Sequence, residues 1–386
     1  MRRLLAVLVA GLLAVSCSSS PSSPKGAGTP SGSHSSTGTA YGGTIPLSVA
    51  IPRIEKFVEA ERGLKFKHKV KVTLLSNKAF VAKLRAAQGK DDAQSVEKTK
   101  STLAALGLIP ANTDLAKAFH TAYDAGTLGF YDPESKQLYV RGSKASPAVQ
   151  AILSHELTHA LTDQWFGINR PAVNKDTQEK DLAFTTLTEG DAERTRQAFE
   201  AKLSASDKAS AEKEESAGGT PKVPQIVLEL IGLPYAVGPS FVESLIVHGG
   251  LKALNDAYKH PPVSSEQVLN ADRYFAHDMP KHVATPRADG TPLDKSDLGQ
   301  IGLFLALSQA LGQQEAGSGA RGWGGDEYVS WKAGPNRYCL RDSIVMDDPD
   351  STAQLHTALA EWAHKANGRV KVEQSGTTTT FVSCSS

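Results

Sequence analysis

The residues best suited to chemistry are the run His155-Glu156-Leu157-Thr158-His159. Four residues of helix turn through about 400°, so the two imidazoles lie about 40° apart on one face and can bind one tetrahedral cation. Glu156 is adjacent and can take a proton from a water bound to that cation. We predict that His155 and His159 bind Zn²⁺ and that Glu156 is the general base. The alternative is a pair of helical histidines satisfied by ordinary hydrogen bonds.

A catalytic zinc needs a third protein ligand and one open position. Glu189 is the preferred candidate because the segment around it has the apolar spacing of a second helix, with Ala192, Phe199 and Leu203 on one side. Glu193, one turn further, is predicted to accept a hydrogen bond from a ligand histidine. Asp163, one turn past His159, is the rival third ligand or another support for a histidine.

Hydrolysis of a carbonyl compound at such a centre also needs a donor that stabilises the developing oxyanion. The residue types that can supply it occur later in the chain, at Tyr274, His277, His282, Arg321 and Tyr328. Nothing in their spacing selects one, and each is equally well explained by a structural role. Tyr274 and His277 are our candidates.

The elements that must position these side chains can be predicted from the local pattern. Ser146-Pro147 is typical of a helix start, with Ser as N-cap and Pro at the first helical position. Before it, the β-prone runs 128–131 and 137–140 are joined by Asp132-Pro133, a turn signal, and predict a hairpin. The metal-ligand helix is therefore expected to follow directly on a hairpin.

Other segments fill in the rest of the domain. Apolar residues at helical spacing predict helices over 52–62, much of 79–108, 298–311 and 354–364, and β-prone runs predict strands over 70–75, 369–372 and 377–382. The helix over 298–311 is too short for a membrane span. The Gly-rich run at 322–325 lacks the Lys-Ser/Thr of a phosphate loop, so we interpret it as a loop with close backbone packing around Trp323.

Composition limits the partners. The chain has 386 residues, 42 Lys+Arg against 41 Asp+Glu, and 40% hydrophobic residues, which is typical of a globular protein. Since no basic excess is available to neutralise phosphates, nucleic acid is excluded as the expected partner.

The N-terminus is typical of an exported lipoprotein. Arg2 and Arg3 precede an apolar run that ends at Ser16-Cys17, the pattern of a secretory signal followed by a lipid-modified cysteine. We predict a signal peptide over 1–16, a lipid anchor on Cys17 and a flexible Ser/Gly/Pro tether over 17–44. A plain secretory signal is the alternative. The protein would then lie outside the cytoplasm, attached to the cell membrane or secreted.

With Cys17 lipidated, Cys339 and Cys384 remain as an even pair. In an oxidising compartment they are expected to form a disulfide that ties the C-terminal tail to the body, the alternative being two free thiols.

Several motifs together resemble a known peptidase family. They are Gly129-Phe130-Tyr131-Asp132-Pro133, the run from His155 to Gln164, Glu189-Gly190-Asp191-Ala192, the run from Pro261 to Leu269, and Gly322-Trp323-Gly324-Gly325-Asp326. The chain resembles the gluzincin metallopeptidases, and most closely metallopeptidases of actinobacteria, many of which are lipoproteins. The resemblance implies a zinc site of His155, His159 and Glu189, with Glu156 as base, and a substrate lying on the edge of the 137–140 strand. Familiar gluzincins often carry Asp where Glu193 stands.

These expectations combine into one hypothesis. We predict an α+β, zincin-like catalytic domain over 45–386, with a small sheet and edge hairpin, a metal-ligand helix and a largely helical C-terminal part. Its sections are a metal-site half over 45–200, a polar, mobile insertion over 201–223 and a helical half over 224–386 with the disulfide-tied tail. The predicted function is zinc-dependent hydrolysis of peptide or protein substrates. The alternative is an inactive binding module of the same fold at the cell envelope.

Overall fold

The structure is a computed structural model that describes residues 5–8, 41–88, 93–170 and 177–385. The predicted lipid anchor Cys17, most of the signal peptide and most of the tether lie outside the described residues. The folded body begins earlier than the predicted tether end, because Tyr41 packs edge-on against Phe57 and Phe199. Residues 41–44 therefore belong to the domain.

The N-terminal half builds the frame of the metal site. Its elements in chain order are β1 (Leu5–Leu8), α1 (Leu47–Arg62), β2 (Lys71–Leu75), α2 (Asn77–Gln88), α3 (Ala93–Ala105), α4 (Leu115–Gly126), β3 (Thr127–Asp132), β4 (Gln137–Arg141), α5 (Pro147–Phe166) and α6 (Gln178–Ala201). The predicted helices, strand and hairpin of this half are confirmed. The Asp132 side chain closes the β3–β4 turn by accepting hydrogen bonds from Glu134 N and Ser135 Oγ.

The sheet of this half has the strand order β1-β3-β4-β2. Strand β4 pairs antiparallel with β3 and parallel with β2, so both of its sides are occupied. The expectation that the 137–140 strand forms a substrate-binding edge was wrong. The neighbouring strand β3 pairs with β4 on one side and with β1 on the other. The residues of β1 fall within the predicted signal peptide.

Helix α5 starts as the sequence predicts. Ser146 Oγ accepts a hydrogen bond from Val149 N, and Pro147 occupies the first turn. Leu153, Leu157 and Leu161 enter the core that α5 shares with α1, α6 and α8. Helix α6 begins at a Thr177 cap, whose side chain accepts a hydrogen bond from Lys180 N, and it is buried along most of its length.

The C-terminal half differs from the prediction. Its elements are α7 (Ala205–Ser216), α8 (Gln225–Lys259), α9 (Ser265–Leu269), α10 (Ala271–Phe275), β5 (Pro292–Ser296), α11 (Gly299–Ser308), α12 (Gln313–Ala320), β6 (Trp323–Gly334), β7 (Arg337–Met346), α13 (Pro349–Lys365), β8 (Val370–Ser375) and β9 (Thr378–Cys384). Five strands form one sheet of order β5-β6-β7-β9-β8. Helices still cover more of 224–386 than strands do, but the five-stranded sheet was not predicted beyond its terminal hairpin, which is confirmed.

Two smaller expectations also need correction. The 201–223 segment, predicted to be a mobile insertion, contains the capped helix α7, in which Ser204 Oγ accepts from Asp207 N. The Gly-rich run at 322–325 belongs mostly to the start of β6. Its glycines do allow close backbone packing, since a Cβ at Gly325 would overlap the carbonyl of Lys281.

Helix α8 is long and apolar enough in composition to cross a membrane. In the fold it packs against α6 and places Phe241, Val242 and Leu245 in the core. Its helical geometry is interrupted at Gly249 and Gly250, where the backbone kinks. Of its apolar stretch 33% is buried, so one face of α8 belongs to the core and the rest lies at the surface.

The predicted disulfide is confirmed. Cys339 on β7 is paired directly across from Cys384 on β9, and the two are bonded.

The structure contains two small sheets among many helices, which confirms the mixed α+β class.

Candidate metal centre

Helices α5 and α6 bring three predicted ligands to one point. His155 Nε2 lies 3.0 Å from His159 Nε2 and 3.1 Å from Glu189 Oε2, and His159 Nε2 lies 3.3 Å from the same oxygen. All three side chains are buried. The sequence prediction of this set is matched by the geometry, because the helix period aligns the histidines and α6 carries Glu189 inward.

The arrangement fits a tetrahedral zinc. Ligand atoms about 2.0 to 2.1 Å from a zinc ion are separated from one another by about 3.3 Å, close to the three separations seen here. Two imidazole nitrogens and a carboxylate oxygen that face one another in a buried space need a proton or a cation between them. Imidazole and carboxylate are ligand types that zinc accepts.

The charges of the centre are strongly coupled. Burial by itself favours the neutral forms, but the neighbouring His159 and His155 lower the pKa of Glu189 to about 2. Burial alone would lower the pKa of His155, but the nearby Glu189 and Glu193 carboxylates outweigh burial and raise it.

Glu193 lies on the side of His155 that faces away from His159. Its Oε2 lies 3.7 Å from His155 Nδ1, on the ring nitrogen that faces away from His159. Arg196 grips the same carboxylate with Nε and Nη2, both at 2.8 Å. Despite burial, His155 and Arg196 lower the pKa of Glu193 to about 2. At 3.7 Å the Glu193–His155 contact is too long for the predicted hydrogen bond, so Glu193 faces His155 as a charge, and Arg196 fixes the Glu193 carboxylate.

Glu156 is held by the neighbouring strand. Its Oε2 accepts a hydrogen bond of 2.6 Å from Tyr131 N on β3. Gly129 makes room on the same strand, since a Cβ there would overlap Ile152 and touch Glu156 Cγ at 3.6 Å. The carboxylate is therefore fixed beside the ligand face of α5 without joining the ligand set.

Asp163 does not reach the ligands. Its carboxylate accepts from Tyr131 Oη at 2.7 Å, from Lys136 Nζ at 2.6 Å and from Ile168 N at 3.0 Å. Asp163 therefore fastens the C-terminal end of α5 to the β3–β4 hairpin. Asp163 does not support His159 either, because His159 Nδ1 has no hydrogen-bond partner among the described residues. The rival assignment of Asp163 as third ligand, and its role in supporting a histidine, are both wrong.

The candidate oxyanion donors are also not brought to the site. Tyr274 Oη donates to His260 O at the end of α8, and its ring packs on Phe241. His277 is exposed and has a positive φ of 53° in the turn after α10. Both residues have structural explanations where they are.

The tyrosine that does reach the site is Tyr235 on α8, which the sequence prediction missed. Its ring stacks on His155 with centroids 5.9 Å apart. Burial, then the Glu189 and Glu156 carboxylates, raise the pKa of Tyr235 well above its usual value, and its hydroxyl hydrogen bonds to Glu189. Tyr235 lies between Pro234 and Pro239 in an apolar helix, and nothing in that pattern distinguishes it from a core residue.

Helices α6 and α8 approach closely enough for this contact because two glycines meet. A Cβ at Gly190 would overlap the backbone of Gly238, and a Cβ at Gly238 would overlap Thr186 O. Gly190 follows Glu189 directly in the chain. The Glu189-Gly190 pair therefore supplies one predicted ligand and the space that lets Tyr235 contact it.

A buried polar network anchors α6 on the side away from the histidines. Arg62 Nε lies 3.0 Å from Asp191 Oδ2, and Tyr258 Oη donates to the same oxygen at 2.8 Å. Arg62 and Asp191 are fully buried. These contacts tie α6 to α1 and α8 two residues after Glu189.

A second group of acids lies close together in the described residues, at Glu266, Asp278 and Asp347. Arg273 Nη1 lies 2.5 Å from Asp278 and 2.8 Å from Asp347, and Lys281 Nζ lies 3.1 Å from Asp347. Two side-chain cations thus already pair with the two aspartates of this cluster.

Comparisons with protein-family models, with curated proteins and with solved structures find no match to this chain.

Proposed function

We propose that the protein is a zinc-dependent peptidase with a zincin-like fold. The observation that carries the proposal is the convergence of His155, His159 and Glu189 on one buried point, with separations of 3.0 to 3.3 Å. Glu156 lies on the same helix, fixed by Tyr131 N. Two histidines, one glutamate and an adjacent, unligated glutamate are the donor set that metal-assisted hydrolysis requires.

Each residue of the proposed site has a separate role in hydrolysis. Zinc held by these ligands supplies a water of lowered pKa and a positive charge for the substrate carbonyl. Glu156 takes the proton from the attacking water and passes it to the leaving amine. The hydrogen bond from Tyr131 N keeps its carboxylate oriented toward the ligands.

Tyr235 is the residue we assign as the donor to the developing oxyanion. Its ring is fixed against His155, and its hydroxyl reaches the centre from α8, opposite the helix that carries Glu156. A donor pre-positioned in a buried site can contribute about 3 to 4 kcal/mol of transition-state stabilisation. This assignment replaces Tyr274 and His277.

The outer edge of β3 is the proposed place for a peptide substrate. Residues 127–131 of this strand pair with β1, which lies within the predicted signal peptide. Removal of residues 1–16, which we propose for the mature protein, frees this edge for an extended peptide beside Glu156. We further propose that a lipid on Cys17 and the following tether hold the domain outside the cytoplasmic membrane.

The binding module stays as a second candidate because of one observation. His155, Glu156 and His159 are 0% exposed, and Glu189 is 2% exposed. A substrate carbonyl reaches them only after part of the surrounding structure moves. A site that never opens would hold its metal for structure alone.

The decisive experiment compares the chain with Glu156→Gln, and with Glu214→Gln on the exposed face of α7 as matched control. Stoichiometric zinc is expected in all three proteins, because Glu156 is not a ligand. Cleavage of a broad peptide library should be lost on addition of chelator and should fall about 10²- to 10⁴-fold in Glu156→Gln.

Each adverse result has a separate meaning. A protein purified without zinc and unable to take it up contradicts the metal site. Zinc-loaded protein that cleaves no peptide supports the binding module. A Glu156→Gln variant as active as Glu214→Gln contradicts the assigned base.

A further inference from the structure

An open groove lies at the C-terminal end of α5, away from the metal ligands. It has a volume of about 510 Å³ and is lined by Leu64, Trp165, Phe166, Arg170, Asn255 and Lys259; we call it the Trp165 groove. Trp165 follows His159 by six residues, which is about 9 Å along the helix axis. The volume is in the range of sites that take a small ligand or a short peptide segment.

Trp165 is exposed in a way that the other tryptophans are not. It is 41% exposed, whereas Trp323, Trp331 and Trp362 are between 1% and 4% exposed. Its Nε1 donates to Lys65 O at 2.8 Å, which holds the indole in place. A fixed, exposed aromatic surface of this kind costs little side-chain entropy when a ligand covers it.

The walls of the groove are firmly tied together. Gln164 accepts hydrogen bonds from Lys67 N and His68 N and donates to His68 O, which fastens the segment after α1 to the end of α5. Phe166 stacks on Tyr258 of α8 with centroids 4.9 Å apart. The groove is therefore largely pre-formed, as binding sites usually are.

The charges around the groove have one dominant sign. Its described lining contains Arg170 and Lys259 and no acidic residue, and Lys67 Nζ lies 4.2 Å above the Trp165 ring. Arg170 is oriented by donating to Phe166 O and Gly167 O. Lys259 and Lys252 both pair with Asp256, so a single carboxylate faces two positive charges and does not neutralise both. The groove thus combines an apolar surface with uncompensated positive charge.

We propose that the Trp165 groove binds an extended acidic peptide segment that also carries an apolar side chain. Acidic side chains complement Arg170, Lys259 and Lys67, and the apolar side chain covers Trp165 and Leu64. Carboxylate recognition by an oriented guanidinium favours this ligand. The binding needs neither the metal nor cleavage, so it is independent of the proposed peptidase activity.

The test uses the full chain and a synthetic peptide of glutamates around one phenylalanine, with matched peptides in which glutamine or lysine replaces the glutamates. Because three of the four tryptophans are buried, acrylamide quenching of tryptophan fluorescence reports mainly on Trp165. The acidic peptide is expected to protect Trp165 from acrylamide, to bind at least tenfold more tightly than the glutamine peptide, and to weaken as salt is raised. Calorimetry gives the affinities.

Variants locate the binding. Lys259→Glu is expected to weaken the acidic peptide about tenfold, which corresponds to about 1.4 kcal/mol. Lys371→Glu, an exposed reversal on β8, is the matched control and should leave the affinity unchanged. Trp165→Ala should weaken binding in calorimetry while circular dichroism confirms the fold.

Three outcomes overturn the proposal. The first is equal affinity for the acidic and glutamine peptides. The second is acidic-peptide binding that Lys259→Glu and Trp165→Ala leave unchanged. The third is protection of Trp165 by phosphatidylglycerol vesicles but by none of the peptides, which would assign the groove to a lipid surface instead.

Discussion

Two regions of this protein bury carboxyl groups, and they do so in opposite surroundings. At the metal centre, Glu189 faces His155 and His159, and Glu193 faces His155 and Arg196. Near the C-terminal sheet, Asp326 and Asp342 lie against each other, with Asp297 close by. The partners of Glu189 and Glu193 are histidine and arginine side chains. The neighbours of Asp326 and Asp342 are other carboxyl groups.

The pKa values follow these surroundings. Histidine and arginine neighbours outweigh burial and lower the pKa of Glu189 and of Glu193 to about 2. Burial, reinforced by Asp297, raises the pKa of Asp326 to about 7, although Leu298 N, Gly299 N and Trp323 Nε1 donate to it. Burial and then Asp326 raise the pKa of Asp342 well above its usual value.

The contrast shows what each region needs in order to be stable. Acids that face imidazole nitrogens keep their charge and can be completed by a cation, as in the proposed zinc site. Acids that face one another in the core are completed by protons. Burial of charge alone therefore does not identify a functional site, whereas the chemical type of the partner does.

Addition of zinc gives the largest expected change in stability. It tests whether the acids around His155 and His159 are completed by a cation. Zinc present at about a thousandfold over its Kd should raise the free energy of unfolding by about 4 kcal/mol, because it binds only the folded state. Thermal unfolding of chelator-treated protein, with and without added zinc, measures the gain. Glu189→Gln should lose most of it, and Glu214→Gln should keep it.

The outcome also separates the two regions. The gain should be the same for Asp342→Asn as for the unchanged chain, since that residue lies in the other region. A zinc gain that survives Glu189→Gln would mean that the ion binds elsewhere.

The three predicted ligand side chains meet in the fold because their positions follow from local rules. The spacing of His155 and His159 is fixed by the helix period, and Ser146-Pro147 fixes where that helix begins. Glu189 and Glu193 could be chosen because α6 has its own apolar periodicity. The hairpin before α5 was predicted from its Asp-Pro turn.

What the sequence did not predict depends on contacts between distant segments. Tyr235 reaches the centre only because α6 and α8 meet at Gly190 and Gly238, and a single sequence does not show which helices cross. Strand β6 was missed because its first residues, Trp323-Gly324-Gly325, have the composition of a loop; tertiary pairing with β7 overrides that preference.

The close crossing of α6 and α8 gives the next largest effect, and it tests whether the metal centre depends on exact helix packing. Gly190→Ala places a methyl group against the Gly238 backbone, which cannot move aside as a side chain can. We expect a loss of about 2 to 3 kcal/mol in the free energy of unfolding and a weaker zinc affinity, since Glu189 is adjacent.

Gly232→Ala on α8 is the matched control for this prediction. A Cβ there meets nothing within 4 Å, so the higher helix propensity of alanine should raise stability by up to about 1 kcal/mol. Urea denaturation measures both variants. If Gly190→Ala proved as stable as the unchanged chain, the two helices would not cross as closely as described.

The pH dependence of the C-terminal region gives the smallest effect and tests the other half of the contrast. The folded pKa values of Asp326 and Asp342 are raised above the unfolded value of about 4. Their contribution to stability is therefore complete below about pH 4 and is lost as the pH rises through about 7. Asp342→Asn removes one of the two carboxyl groups, so the variant should match the unchanged chain at about pH 3.5, below the unfolded pKa, where the carboxyl groups are mostly protonated in both states.

At pH 8 Asp342→Asn should be more stable by about 1 to 2 kcal/mol, because the unchanged chain must there bury a charge beside Asp326. Urea denaturation at the two pH values measures the difference, and Glu373→Gln, exposed on β8 of the same sheet, serves as control. Added zinc should not alter this pH dependence, since the two regions bind different partners. If the stabilisation of Asp342→Asn were equal at pH 3.5 and pH 8, the gain would come from packing, and the acids of the C-terminal region would not differ from those of the metal centre in needing protons.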